Sequence, residues 1–145
     1  MAALPGVDSV LLFGGGPFVG RGTIEDQWLF DIATESWRES EAVSVPEPRT
    51  GHVMEYVDSL GQVVMFGGDD RNSQLRCLGT GCPPGLLDDM WTYDPVTDDW
   101  VAQLLLQGSP GPRSGAAAAY DSLSDQLVVF GGIGAWDGND VRGRE

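Results

Sequence analysis

Basic side chains are scarce in this chain: eight Lys and Arg stand against 22 Asp and Glu, for a formal net charge of −14 at pH 7. Nucleic acid and anionic lipid are bound chiefly through Lys and Arg that neutralise phosphates. The balance therefore argues against both as partners and favours a protein or peptide, a basic one fitting the charge best. Histidine occurs once, at His52, and cysteine twice, at Cys77 and Cys82. One imidazole is too few for a histidine-rich copper centre, and two thiols with one distant His do not complete a four-ligand structural zinc site. No metal and no organic cofactor is expected. Long apolar runs are absent too. None approaches the roughly 18–20 residues of a spanning helix, and the start, MAALPGVDSV, lacks the basic and apolar segments of a secretory signal. No membrane association and a cytoplasmic location are the expectations that follow.

What the chain does have is glycine, 21 residues of it, with nine prolines among 145 residues, a composition suited to many short strands and turns. The 41% hydrophobic content is that of a folded domain with a core. Near the start, VLLFGGGPFVG looks like a strand delivering a phosphate-binding loop. The spacing is wrong for that, because a dinucleotide fingerprint needs G-x-G-x-x-G opening a helix, and here Pro17 interrupts the glycines with no helical period after them. The stretch also recurs, as VVMFGG at Val63–Gly68 and LVVFGG at Leu127–Gly132. A cofactor loop is needed once, whereas a string seen three times is architecture.

Two further strings keep the same phase. DQWLFDIATESW (Asp26–Trp37) lies over DMWTYDPVTDDW (Asp89–Trp100) at a shift of 63, and EPRTGH (Glu47–His52) lies over GPRSGA (Gly111–Ala116) at a shift of 64. The runs VLLF, VVMF and LVVF are apolar without alternation, which suits strands covered on both faces. WLFD and WTYD read as the following strands, starting at Trp28 and Trp91. Asp31-x-x-Thr34 and Asp94-Pro95-x-Thr97 read as turns, in which Asp accepts from onward backbone amides. Trp37 and Trp100 open the next strands, and their rings are large enough to fill the space between packed sheets, so both are expected to be buried.

The combination of strand–Gly-Gly, D-x-W-x-[FY]-D, a second Trp nine residues after the first, and Pro-Arg-[Ser/Thr]-Gly resembles the kelch repeat. The resemblance implies an all-β fold, a β-propeller of four-stranded antiparallel blades. Gly14, Gly15, Trp28, Trp37, Arg49, Gly67, Gly68, Trp91, Trp100, Arg113, Gly131 and Gly132 are the residues that match its structural motif. With the strands of a blade lettered A to D, residues 1–46 supply strands B–D of a partial blade, 47–108 a complete blade, and 109–145 strands A and B of another. Nine strands result. Superposing Phe13 on Phe130 places Met1 on Ala118, so the first A strand falls almost wholly upstream. Such a partial propeller exposes apolar blade faces, and either self-association or further blades from a longer parent chain are expected to cover them.

Strand parity puts the A–B and C–D turns, which are short, at one end of each blade and the long B–C and D–A loops at the other. Long loops on a rigid scaffold are the usual place for recognition. Within them Arg21, Arg71, Arg76 and Trp136 are the candidate partner-binding residues. Arg49 and Arg113 are read instead as scaffold groups, bonding carbonyls or acids between blades. His52 is read as structural, since its repeat equivalent is Ala116 and no G-x-S-x-G elbow accompanies it. The acidic pairs at Asp69, Asp88 and Asp98 do not match a calcium-loop spacing and are read as turns and strand ends. Cys77 and Cys82 share the longest loop, and both a disulfide between them and a pair of free thiols stay open. The resemblance implies a non-enzymatic interaction module, an adaptor or scaffold. The alternative is a fragment of a propeller enzyme or carbohydrate-binding propeller related to kelch-fold oxidases or sugar isomerases.

Overall fold

A computed structural model of the chain describes residues 1–16, 23–24, 26–70, 85–104 and 110–134. Among these, the ordered elements are strands and a single 3₁₀ turn at Pro5–Val7. The first sheet holds β1 (Ala2–Leu4), β2 (Ser9–Phe13), β3 (Gln27–Asp31) and β4 (Ser36–Glu39), in that spatial order. The second holds β5 (Val53–Val57), β6 (Gln62–Phe66), β7 (Met90–Asp94) and β8 (Asp99–Gln103), again in chain order. The third pairs β9 (Arg113–Asp121) with β10 (Gln126–Gly134). Every pairing is antiparallel. The sheets form an open stack, a partial propeller.

The first sheet corrects the expected strand count. Met1 does fall level with Ala118 in register, yet the three residues that follow it still pair, Ala2 with Leu11 and Leu4 with Ser9. The reason is packing. Ala2 and Leu4 are buried in the same apolar cluster as Leu11 and Phe13, so even a short strand gains enough burial to hold. The described residues thus carry ten strands rather than nine.

The core lies between sheets, and the strand pleat decides which residue belongs to which interface. Leu11, Phe13 and Leu29 point from the first sheet into a cluster with Met54, Val63, Met65, Tyr93 and Trp100 of the second. Val64 and Phe66, on the other face of β6, point toward the third sheet, whose Leu127 and Val129 line the same slots. β6 is therefore apolar at successive positions because both of its faces are covered. β10 alternates instead, its outward residues Val128 and Phe130 being exposed.

The recurring double glycine now has a physical explanation. Gly14 and Gly67 adopt φ of 60° and 68°, in the left-handed region. A Cβ on either would lie 2.5 Å from the Arg49 carbonyl oxygen or 2.7 Å from that of Arg113, so only glycine lets the next sheet's backbone approach this closely. The glycine that follows completes the stitch: the Gly15 amide donates to the Arg49 carbonyl at 2.9 Å, and the Gly68 amide to the Arg113 carbonyl at 2.8 Å. The glycines join blades; they do not cradle a phosphate.

Candidate interaction surface

The Pro-Arg strings, the ends of the B strands and the starts of the C strands meet at one rim. Arg49 is fully buried there, its guanidinium donating to the carbonyls of Glu47 (3.0 Å) and Gly67 (3.1 Å) and gripping the Asp89 carboxylate with two nitrogens, one at 2.8 Å. Trp91 Nε1 donates to the same carboxylate at 2.8 Å. Burial opposes ionisation of Asp89, but the Arg49 and Trp91 bonds outweigh it and hold the carboxyl below the usual carboxylate range. Arg113 repeats the arrangement, donating to the carbonyls of Gly111 (3.1 Å) and Gly131 (3.0 Å). The expected role between blades is corrected by this geometry. Each guanidinium bonds within its own blade, because its reach from the A strand ends at the B–C loop root, and it is the arginine's backbone that crosses to the preceding blade.

Backbone bonds lace the loop roots above these arginines. Thr50 and Asp69 exchange amide and carbonyl bonds at 3.0 and 2.8 Å, Asp70 donates to Gly85 at 3.0 Å, Leu87 to Gly68 at 2.9 Å, and Arg113 to Leu87 at 3.1 Å. Asp26, Glu47, Asp69, Asp70, Asp88 and Asp89 all belong to these roots, while Arg49 and Arg113 are the basic residues among the described parts of them. The base of the rim is thus rigid and acidic. Arg21, Arg71, Arg76, Trp136, Cys77 and Cys82 lie outside the described residues.

The turns carry the other side of the design. As the sequence indicated, Asp31 accepts from the Thr34 amide at 2.7 Å and Asp94 from the Val96 amide at 2.8 Å. The clean separation of turns from loops fails at the outer strands, however. Asp98, in the β7–β8 turn with a left-handed φ of 52°, accepts from Ser40 Oγ (2.6 Å), Arg38 Nη1 (3.0 Å), the Glu41 amide (3.2 Å) and Tyr93 Oη (2.7 Å). Its neighbour Asp99 accepts from the Ser44 amide at 2.8 Å. Twist of the sheets brings this short turn against the D–A loop of the preceding blade. Burial opposes Asp98 ionisation, but the Ser40, Tyr93 and Arg38 bonds hold its carboxyl low, and burial together with that carboxylate pushes the Tyr93 phenol up.

Trp100 is 1% exposed, with its indole N–H on Gln27 Oε1 at 2.6 Å and its ring 5.3 Å from that of Phe13. Trp37, the equivalent residue, is 50% exposed, against the expectation that both would be buried. The cause is its neighbour. Trp37 faces away from the second sheet, over Phe30 at 5.0 Å, where none of the described residues takes the place that the first sheet takes for Trp100.

His52 packs edge-on against Phe13, with ring centroids 5.7 Å apart, and its Nε2 meets Met54 Sδ at 3.2 Å. Its Nδ1 is buried with no hydrogen-bond partner among the described residues. Burial first, then the Met1 amino group and the Arg49 charge, lower its pKa from 6.5 to about 4. The unfolded chain therefore binds the proton more tightly, and stability falls as pH drops from about 6.5 toward 4, by at most about 3 kcal/mol. His52→Ala, which copies Ala116, is expected to flatten urea-unfolding stability across that window. The carboxylate-dependent loss from Asp89 and Asp98 would remain at lower pH. An unchanged slope in the variant would show that His52 titrates freely in the folded state.

The chain's residues 2–140 match the family model described as the KLHDC2/KLHL20/DRC7 Kelch-repeats domain, and the chain belongs to the kelch-repeat family. Among curated proteins it is 28% identical over 119 residues to an F-box/kelch-repeat protein of Arabidopsis thaliana, covering 74% of this chain and 22% of that protein. It is 28% identical over 125 residues to Acyl-CoA-binding domain-containing protein 5 of the same plant, covering 86% of this chain and 17% of the relative. It is also 28% identical over 128 residues to the N-(sulfonatooxy)prop-2-enimidothioate sulfolyase of Thlaspi arvense, covering 87% of this chain and 33% of the relative. The chain thus spans a third or less of the length of these relatives. No helix among the described residues is long and apolar enough to cross a membrane.

Proposed function

We propose that this chain is a non-enzymatic protein-interaction module, acting as an adaptor or scaffold, that binds a basic peptide or protein segment through its B–C and D–A loops. Membership of the kelch-repeat family supports the interaction role. The observation that carries the choice of surface is the rim itself, where buried Arg49 and five interlaced backbone bonds hold the roots of both loop types in one fixed arrangement. A rigid base with long loops above it presents contact residues at low entropic cost. The acids of that base, within a chain of net charge −14, select a partner of opposite sign and speed its approach. Arg21, Arg71, Arg76 and Trp136 are the loop side chains assigned to contact, with arginine and tryptophan suited to be the anchors of such an interface.

Selection of binders from a random peptide library on the purified chain tests the reading. Enriched peptides are expected to be rich in Lys and Arg, and their affinity is expected to fall at least tenfold in the Arg21→Ala, Arg71→Ala, Arg76→Ala, Trp136→Ala variant. Changes in the short turns, such as Leu60→Ser with Leu123→Ser, are expected to leave it intact. Binders that survive the loop variant and are lost with the turn variant would move the site to the opposite rim.

A further inference from the structure

The connection that leaves β4 for β5 is held down at several points. Ser40 Oγ donates to Asp98 at 2.6 Å and the Glu41 amide to the same carboxylate at 3.2 Å, while the Ser44 amide donates to Asp99 at 2.8 Å. Between and beyond these ties, Ala42 packs on the core cluster and Pro46 is fully buried. The apolar residues left facing out are Val43, 91% exposed, and Val45, 41% exposed. The turn that pins the segment carries a third exposed valine, Val96. The segment lies between the two four-stranded sheets, so these valines stay exposed with both neighbouring blades in place. It is also tied down away from the rim. β7 leaves the rim beside Asp89 and runs five residues to the pinning turn, roughly 17 Å at the rise of a strand.

Single exposed apolar residues are ordinary on a protein surface, but these differ in two respects. They stand on a fixed segment, and valine has little rotamer freedom to lose, so little entropy is given up when they are covered. Their surroundings are acidic as well. Glu39 and Glu41 are exposed beside them, Asp98 and Asp99 lie beneath, and the neighbouring base, Arg38, is taken up by Asp98 at 3.0 Å. We infer that this flank, built on Val43, Val45 and Val96, is a second docking surface, and that it takes a partner segment alternating apolar with basic side chains. The valines receive the apolar side chains, and Glu39 and Glu41 meet the Lys or Arg between them. Asp98 is a positioning residue, acting through the loop that it ties. The inference rests on the reading of the chain as an interaction module and not on the rim as its site.

A short peptide alternating Leu and Lys, titrated into the chain labelled at its Val and Leu methyl groups, is the probe. NMR is expected to show shifts at Val43, Val45 and Val96. A Ser–Lys peptide of the same length and charge is expected to bind at least about tenfold more weakly, a factor that burial of a single valine accounts for. Val43→Ser with Val45→Ser is expected to weaken binding of the Leu–Lys peptide by a similar factor. Asp98→Ala, which unties Ser40 and Glu41 but leaves the valines in place, is expected to weaken it about threefold or more, because the loop must then be ordered on binding. Circular dichroism melts confirm that the variants stay folded. Shifts confined to Leu86 and Leu87 at the loop roots would overturn the inference and leave the rim reading standing. Equal affinity for the two peptides, a double valine variant that binds like the wild type, or no binding at about 1 mM peptide would each overturn it as well.

Discussion

Trp100→Ala is expected to lower the free energy of unfolding by about 3–5 kcal/mol, and Trp37→Ala by less than about 1 kcal/mol. Both residues open a D strand at the same repeat position, so sequence alone makes them equal. What separates them is the sheet in front. Trp100 fills the space between Phe13 and Tyr93, with ring centroids at 5.3 and 5.2 Å, and its N–H is bonded to buried Gln27. Removing it leaves a cavity lined by side chains that cannot collapse and an acceptor without its donor. Removing Trp37 uncovers Phe30 and little else. Urea unfolding of the two variants checks the difference. Equal losses would mean that the outer face of the first sheet is covered in solution.

The second large effect belongs to Arg49. Its guanidinium is sealed between two carbonyls and the Asp89 carboxylate, and Arg49→Ala removes its bonds to all three acceptors at once, leaving Asp89 the Trp91 indole. Breaking a buried pair from one side costs about 3–5 kcal/mol, and partial exposure of Asp89 puts the expected loss near the lower figure. Arg49→Lys is expected to recover only part, because an ammonium does not match the planar fork that spans carboxylate and carbonyl. A double-mutant cycle with Asp89→Asn separates the pair from the carbonyl bonds. A coupling energy near zero would show that the arginine acts through its carbonyl contacts alone. Arg113 lacks such an acid among the described residues and is half-exposed, so its replacement is expected to cost less.

These contrasts show which features a sequence carries and which it does not. The strings around Gly14, Gly67 and Gly131 were legible because each blade needs the same close approach, which leaves the same residues at the same phase. The strands and the Asp-led turns were legible for the same reason, since Asp31 and Asp94 act on backbone a few residues away. The exposure of Trp37 was not, because burial between sheets is a property of the neighbour and not of the repeat. Nor was the short β1 strand, whose Ala2 and Leu4 carry no motif and hold only by burial against the next blade. The Asp98 cluster escaped as well. Its partners Arg38 and Ser40 lie some sixty residues away and meet it through sheet twist, for which the local pattern has no signature. For the rim, the pairing of Arg49 with an acid was foreseeable, whereas the identity of Asp89 came only with the B–C loop root folded beneath it.

The central claim is that this chain is a stack of kelch blades locked by repeated interfaces, with the second sheet sealed on both faces and the outer faces open. Native-state hydrogen exchange followed by mass spectrometry tests it most directly, because protection reports how much structure must open to free each amide. The slowest exchange is expected in β6 and β7, intermediate rates in β2 and β3, and the fastest strand exchange in β4 and β10. Protection that is uniform along the strands, or highest in β9 and β10, would contradict the account.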